Sequence, residues 1–298
     1  MTISGVLAPI PTPFTDDEAV DLDAWRANID RWMATPLRGL VVLGSTGEAP
    51  LVDDDEADRL IREARGRVPA DRLLLAGTGR QSTRAAVAAA RRAADAGADG
   101  VLVRTPSYFK KQLTTEAFVR HYAAVADASP VPVVLYNFSA LTGVTLPVEA
   151  VARLVDHPNI VGLKESGPDL GYVGDLIGVA RDGFSVVVGS APTFYASLAI
   201  GASGGILALA CAIPDACVRI YEHAAAGRHD EARALQRQVV PLARLLTTRH
   251  GIPGLKAALD ELGYAGGRPR RPLAPVAPDA AQEIRRQIEQ FAAAPAGA

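Results

Sequence analysis

The 298-residue chain predicts a (β/α)8 barrel, the TIM-barrel class of α/β fold, with a C-terminal helical extension. Three observations predict it. Short runs rich in Val, Leu and Ile recur roughly every 25–35 residues, with helical patterns between them. The runs are apolar nearly throughout instead of alternating, as parallel strands covered on both faces require. The competing doubly wound sheet lacks its fingerprints, because no GxGxxG turn follows the first run and no GxxxxGK[ST] occurs anywhere.

In chain order the predicted strands are 5–10, 39–43, 72–76, 100–103, 131–136, 160–164, 184–188 and 205–209. Leu22, Trp25, Ile29 and Trp32 share one face of a helix over 22–33. Asp53 to Glu56 load acid into a first turn, where the helix dipole favours it. Ser82 caps an alanine-rich helix over 83–96, and Gly97 ends it. Thr114 or Thr115 caps a helix that turns Phe118, Tyr122 and Val125 inward. Pro147 and Pro214 stand where a first helical turn tolerates proline. The barrel pattern is complete near residue 226, giving a barrel over 1–226 and an extension over 227–298. Helical patterns at 229–249, 253–262 and 278–293 fill the extension, and no Ser/Gly-rich linker separates it.

Composition narrows the function. At 49% apolar and 21% charged residues, disorder and fibrous repeats are excluded. Lys and Arg number 31 against 33 Asp and Glu, a net charge of −2. Such a balance argues against a nucleic-acid or anionic-membrane partner. Cys211 and Cys217 read as buried thiols of a reducing, cytoplasmic compartment. Five scattered histidines form no HExxH or HxxxH pattern, so no protein-built metal site is expected. The N-terminus lacks the pattern of a signal peptide. Residues 183–214 carry no charge, but glycines, Pro192 and flanking acids make them a buried strand–helix–strand unit and not a membrane span.

A barrel of this kind carries its chemistry at the C-terminal ends of the strands. Three endings draw attention there. Lys164 closes the apolar stretch 160–163, where a charged ammonium is costly unless paired. Desolvation favours the neutral amine, which attacks a ketone to form a Schiff base; a rim lysine paired with Glu165 is the plainer alternative. Tyr136 ends a second strand, with a phenol placed to move protons or simply to pack. The turn Gly44-Ser45-Thr46-Gly47-Glu48 offers backbone N–H groups and hydroxyls to a carboxylate, or merely connects a strand to a helix.

Together these residues resemble the pyruvate-dependent class I aldolases, the family that includes dihydrodipicolinate synthase and N-acetylneuraminate lyase. The resemblance runs over nearly the whole chain: PIPTPF (9–14), GSTGE (44–48), TPSYF (105–109), YNFSALTG (136–143), GLKES (162–166) and GIPGLK (251–256). It implies that Lys164 captures pyruvate as a Schiff base, so that no metal or organic cofactor is needed. It implies that Tyr136 is the acid/base, with Ser45 relaying protons to Tyr108. That second tyrosine typically enters from a neighbouring subunit, which implies a homotetramer built from dimers. Thr46 would hold the 2-oxo acid's carboxylate, and Gly189 and Ile206 would line the imine pocket. Leu141 replaces the arginine with which dihydrodipicolinate synthases bind their aldehyde's carboxylate, and Ser139 a usual proline.

Stretches such as HPNIVGLKES and RHGIPGLKAALDELGYAGG look closest to the 4-hydroxy-2-oxoglutarate aldolases. In that subgroup the serine matching Ser166 lies beside the substrate, though asparagine is common where this chain has Thr46. The expected function is therefore a lyase that cleaves a 4-hydroxy-2-oxo acid, 4-hydroxy-2-oxoglutarate above all, to pyruvate and an aldehyde. The alternatives are a related aldolase or dehydratase acting on a 2-keto-3-deoxy sugar acid, or a dihydrodipicolinate synthase-like condensing enzyme.

Overall fold

A computed structural model describes residues 1–294. Eight strands, β1 (Gly5–Pro9), β2 (Gly39–Val42), β3 (Leu73–Gly77), β4 (Gly100–Arg104), β5 (Val133–Asn137), β6 (Ile160–Glu165), β7 (Ser185–Val188) and β8 (Gly204–Ile206), form a closed parallel barrel in sequence order. The helices α1 (Leu22–Met33), α2 (Asp54–Arg65), α3 (Thr83–Asp95), α4 (Thr115–Ala128), α5 (Ser139–Thr142), α6 (Val148–Leu154), α7 (Leu170–Val179), α8 (Phe194–Ala199) and α9 (Pro214–Ala225) connect and cover the strands. Beyond them lie α10 (His229–Ala243), α11 (Gly251–Glu261) and α12 (Pro278–Ala293).

Alternation along each strand divides the apolar residues into two cores. Leu7, Val41, Leu75, Leu102, Val134, Val187 and Ile206 fill the bore, while Val6, Leu40, Leu74, Val101, Val133 and Leu163 face the helices. Burial on both faces explains why these strands read as unbroken apolar runs. The helix signals act as expected. Ser82 accepts from Ala85 N–H, Thr114 from Ala117 N–H, and Asp53 with Glu56 closes a capping box. The uncharged stretch folds as β7–α8–β8 inside the barrel wall, and no helix among the described residues is long and apolar enough to cross a membrane.

Four expectations need correction. Strand β4 runs one residue further, to Arg104, and β8 stops at Ile206, after which Ala208–Cys211 is a 3-10 turn. The pattern over 229–249 divides after Ala243. Pro241, inside the last turn of α10, lacks the N–H for one rung of the ladder, and the chain continues as a π-helix over Arg244–Arg249. Pro147 caps α6 from just outside instead of lying in its first turn.

His121, on α4, gives a test of the packing between helices. It is buried, with Nδ1 2.8 Å from Thr83 Oγ1, and burial pulls its pKa from 6.5 down to about 4. Above pH 6.5 the imidazole is neutral in both the folded and unfolded chain and has no effect on stability. As pH falls from 6.5 to 4 the unfolded chain binds a proton that the folded one refuses, so stability is lost progressively. The full loss is about 3 kcal/mol. Urea unfolding of His121→Gln, which keeps a polar partner for Thr83 but does not titrate, is expected to lose clearly less stability between pH 7 and pH 4.5 than the parent. Equal losses would contradict this.

Candidate active site

Three neighbouring strands build the site in register. Arg104 pairs with Tyr136 across β4–β5, and Tyr136 with Lys164 across β5–β6. The second pairing depends on an irregularity: Val133 pairs with Ile160, but Val134 already pairs with Gly162. One extra residue, Val161, is accommodated in β6 as a bulge. Without it Tyr136 would lie opposite Leu163, which faces the helices, and the lysine would be out of phase with the phenol.

Lys164 is 4% exposed, and its Nζ lies 4.4 Å from the centre of the Tyr136 ring. No carboxylate among the described residues pairs with it. The neighbouring Glu165 turns away, its Oε2 accepting from Asn137 Nδ2 at 2.6 Å and its Oε1 from Gly167 N–H. Burial pushes the Glu165 carboxyl up, against the pull of those two donors. Asn137 Oδ1 in turn accepts from Leu146 N–H at 2.9 Å. Glu165 thus fastens the ends of β5 and β6 together, and the rim pair with Lys164 does not form.

Tyr136 Oη lies 3.2 Å from Ser45 Oγ. Ser45 and Thr46 belong to a tight turn after β2, closed by Glu48 N–H on Ser45 O at 3.1 Å and Ala49 N–H on Gly44 O at 3.3 Å. Glu48 takes a left-handed conformation (φ 56°) and points inward, where its carboxylate meets Lys256 Nζ at 2.6 Å. Both side chains are buried. The lysine also donates to Thr12 O and Arg268 O, each at 2.7 Å, and burial lowers its pKa against the pull of Glu48. Arg270 N–H donates to Glu48 Oε2, its guanidinium grips Glu56 through both nitrogens at 2.7 Å, and it stacks 4.1 Å over the Phe14 ring. The 9–14, 44–48 and 251–256 motifs therefore meet in one buried ionic joint.

The opposite wall is equally tight. A Cβ on Gly189 would lie 2.1 Å from Ser166 Oγ and 3.1 Å from Lys164 Cε, so only glycine fits between them. Ile206 is fully buried at the same end of the bore. Two expected residues are not brought to this centre. Tyr108 is 78% exposed, edge-on to Phe109, and Leu141 is 63% exposed on the short helix α5. Arg104 was missed because its strand was ended at Val103, and the Glu48–Lys256 joint because 208 residues separate its members. Both thiols are free and buried, and burial pushes each up. Among the described residues no group of three or more His, Cys, Asp or Glu is placed to hold a metal ion.

This geometry agrees with comparison to known proteins. The profile of the Dihydrodipicolinate synthetase family matches residues 2–291. The chain belongs to that family. The 4-hydroxy-tetrahydrodipicolinate synthase of Exiguobacterium sp. strain AT1b is 35% identical over 289 residues, 97% of this chain and 98% of that protein. The enzyme of the same name from Xanthomonas campestris pv. campestris is 38% identical over 276 residues, 93% of this chain and 90% of that protein. The pyruvate complex of the dihydrodipicolinate synthase from Acinetobacter baumannii superposes with a TM-score of 0.93 at 30% identity, over 98% of this chain and 99% of that one.

Membership in the dihydrodipicolinate synthetase family makes the chain a pyruvate-dependent enzyme of the carbon–carbon lyase class. It also overturns the expected cleavage of 4-hydroxy-2-oxoglutarate, because the relatives at 35–38% identity are named as synthases of 4-hydroxy-tetrahydrodipicolinate. The expectation rested on stretches such as HPNIVGLKES and RHGIPGLKAALDELGYAGG, with Leu141 in place of a synthase's arginine as a further reason. The Leu141 side chain projects from the rim, so its identity says little about what the buried cavity accepts.

Proposed function

We propose that the chain condenses pyruvate with an aldehyde through an imine on Lys164, in the manner of a dihydrodipicolinate synthase. The observation that carries this reading is a buried amine with no carboxylate partner among the described residues, set against the ring of Tyr136. The compound in the relatives' names is a six-membered nitrogen ring with two carboxylates and a 4-hydroxyl. Cutting the bond between its hydroxyl-bearing C4 and the methylene next to the C=N carbon, and hydrolysing the ring C=N bond, leaves pyruvate and a four-carbon amino aldehyde that carries the second carboxylate.

In this reading the amine of Lys164 adds to the C2 carbonyl of pyruvate, and loss of water gives a protonated imine. A C3 proton passes to water, and its electron pair flows into the imine to give an enamine. The enamine's C3 attacks the aldehyde carbon, whose oxygen takes a proton from Tyr136 and becomes the new hydroxyl. Ser45, at 3.2 Å, relays a proton from water back to the phenol. Release of the product as a free ketone by water, or by its own amine, regenerates Lys164. The imine is the electron sink, so the scheme calls for no other cofactor.

Thr46 and its turn hold pyruvate's carboxylate, while Ser166, Gly189 and Ile206 wall the imine. Exposed Tyr108 suits a relay completed across an interface, Tyr108 of the partner subunit reaching Ser45 in a homotetramer built from dimers. Borohydride added to the protein with pyruvate is expected to fix one reduced pyruvyl group on Lys164, found by peptide mass spectrometry. A chain that turns over pyruvate and aldehyde yet stays unmodified would refute the proposal.

A further inference from the structure

Arg104 is the one charged side chain among the residues that line the cavity beside Ser45 and Tyr136. It is the last residue of β4, partly buried, and in register with Tyr136. Val101 and Val103 face the helices while Leu102 fills the bore, so alternation turns Arg104 into the bore as well. Among the described residues no hydrogen bond or ion pair reaches its guanidinium. Asp54, on the adjoining helix α2, already carries Arg80 at 2.9 Å and Arg92 at 2.8 Å. Burial works against the charge of Arg104, and the positive charge of Arg80 adds to that. A guanidinium nonetheless keeps its proton in proteins.

A charged, partly desolvated group without a counter-ion is costly, and the cost falls when an anion arrives. The cavity is therefore built for a ligand with a negative group. Position decides which group that is. Arg104 and Lys164 stand on either side of Tyr136 in register, two strands apart. Pyruvate's carboxylate, a single bond from the carbon joined to Lys164, falls to the turn that carries Thr46 in the imine reading, which leaves Arg104 for a second anionic group. An aldehyde's carboxylate, several bonds beyond the new C–C bond, is such a group.

We infer that Arg104 determines acceptor specificity by binding the carboxylate of the incoming aldehyde. The assignment rests on the imine reading above and deepens it. The fork of two parallel N–H groups fits a carboxylate bidentately, which a lysine cannot reproduce.

The test uses the full chain and two aldehyde pairs, each with and without the carboxylate: 2-amino-4-oxobutanoate against 3-aminopropanal, and succinic semialdehyde against propanal. The parent is expected to prefer the carboxylated member. Arg104→Leu is expected to lower kcat/KM for that member by about 100-fold, mainly through KM, and to leave the uncharged member unchanged. The pyruvate concentration that half-saturates borohydride trapping on Lys164 is expected to stay the same, which also shows the variant is folded. Arg104→Lys, which keeps the charge in a less disruptive side chain, is expected to trap pyruvate normally and to recover only part of the preference. The proposal is overturned if the parent prefers neither carboxylated aldehyde, if both members of a pair suffer equally, or if Arg104→Lys loses pyruvate trapping. Absence of trapping in the parent itself would instead remove the imine chemistry, and this assignment with it.

Discussion

Lys164→Arg is expected to abolish condensation, lowering kcat by at least about 10⁴-fold, and to abolish borohydride trapping with pyruvate. The exchange keeps length and positive charge, so it separates two roles. A lysine that served only as a cation would pass most of its function to arginine. A nucleophile would not, because a guanidinium stays protonated and has no free pair to offer the keto carbon. The register pairing of Tyr136 with Lys164 permits a companion measurement. Tyr136→Phe keeps the ring against the amine but removes the hydroxyl that meets Ser45. It is expected to trap pyruvate still while turning over about 10²–10⁴-fold more slowly. Substantial turnover by Lys164→Arg would end the covalent account.

Lys256→Met is expected to be the most damaging change outside the reacting centre. Methionine fills similar space but leaves the Glu48 carboxylate buried without its cation, and two backbone carbonyls without their donor. Breaking a buried ion pair from one side costs about 3–5 kcal/mol, here a fall of roughly 10 °C in Tm. Activity should fall further than stability alone accounts for, since Glu48 ends the turn that carries Ser45 and Thr46. Adding Glu48→Gln to Lys256→Met removes the stranded charge while still accepting from Arg270 N–H, and is expected to restore much of the Tm. A double variant no better than the single would show that lost packing, and not an unpaired charge, dominates.

What the sequence revealed and concealed follows one physical division. Strands buried on both faces announce themselves as apolar runs, and Ser82, Thr114 and the Asp53–Glu56 box announce helix starts, because each signal is local. Lys164 and Tyr136 were legible for the same reason, as polar residues ending apolar strands. Three features were not. The bulge at Val161 depends on how β6 aligns with its neighbour, which no single strand encodes. The Glu48–Lys256 joint depends on closure of the whole barrel against α11. Arg104 falls just outside the strand predicted over 100–103, since only the pairing of β4 with β5 extends the strand to include it. The acceptor was not legible, because the resemblance of stretches such as HPNIVGLKES and RHGIPGLKAALDELGYAGG to one subgroup does not show which groups meet the substrate, and Leu141 faces outward.

The joint around Glu48 also sets a timetable for the molecule's own synthesis. Lys164, Tyr136 and Ser45 have all been synthesised once β6 is made, yet the loop that carries Ser45 waits for Lys256 and Arg270. A nascent chain halted before those two residues emerge would hold all three side chains with Glu48 still unpaired. The turn is fixed only when the tail folds back and clamps the beginning.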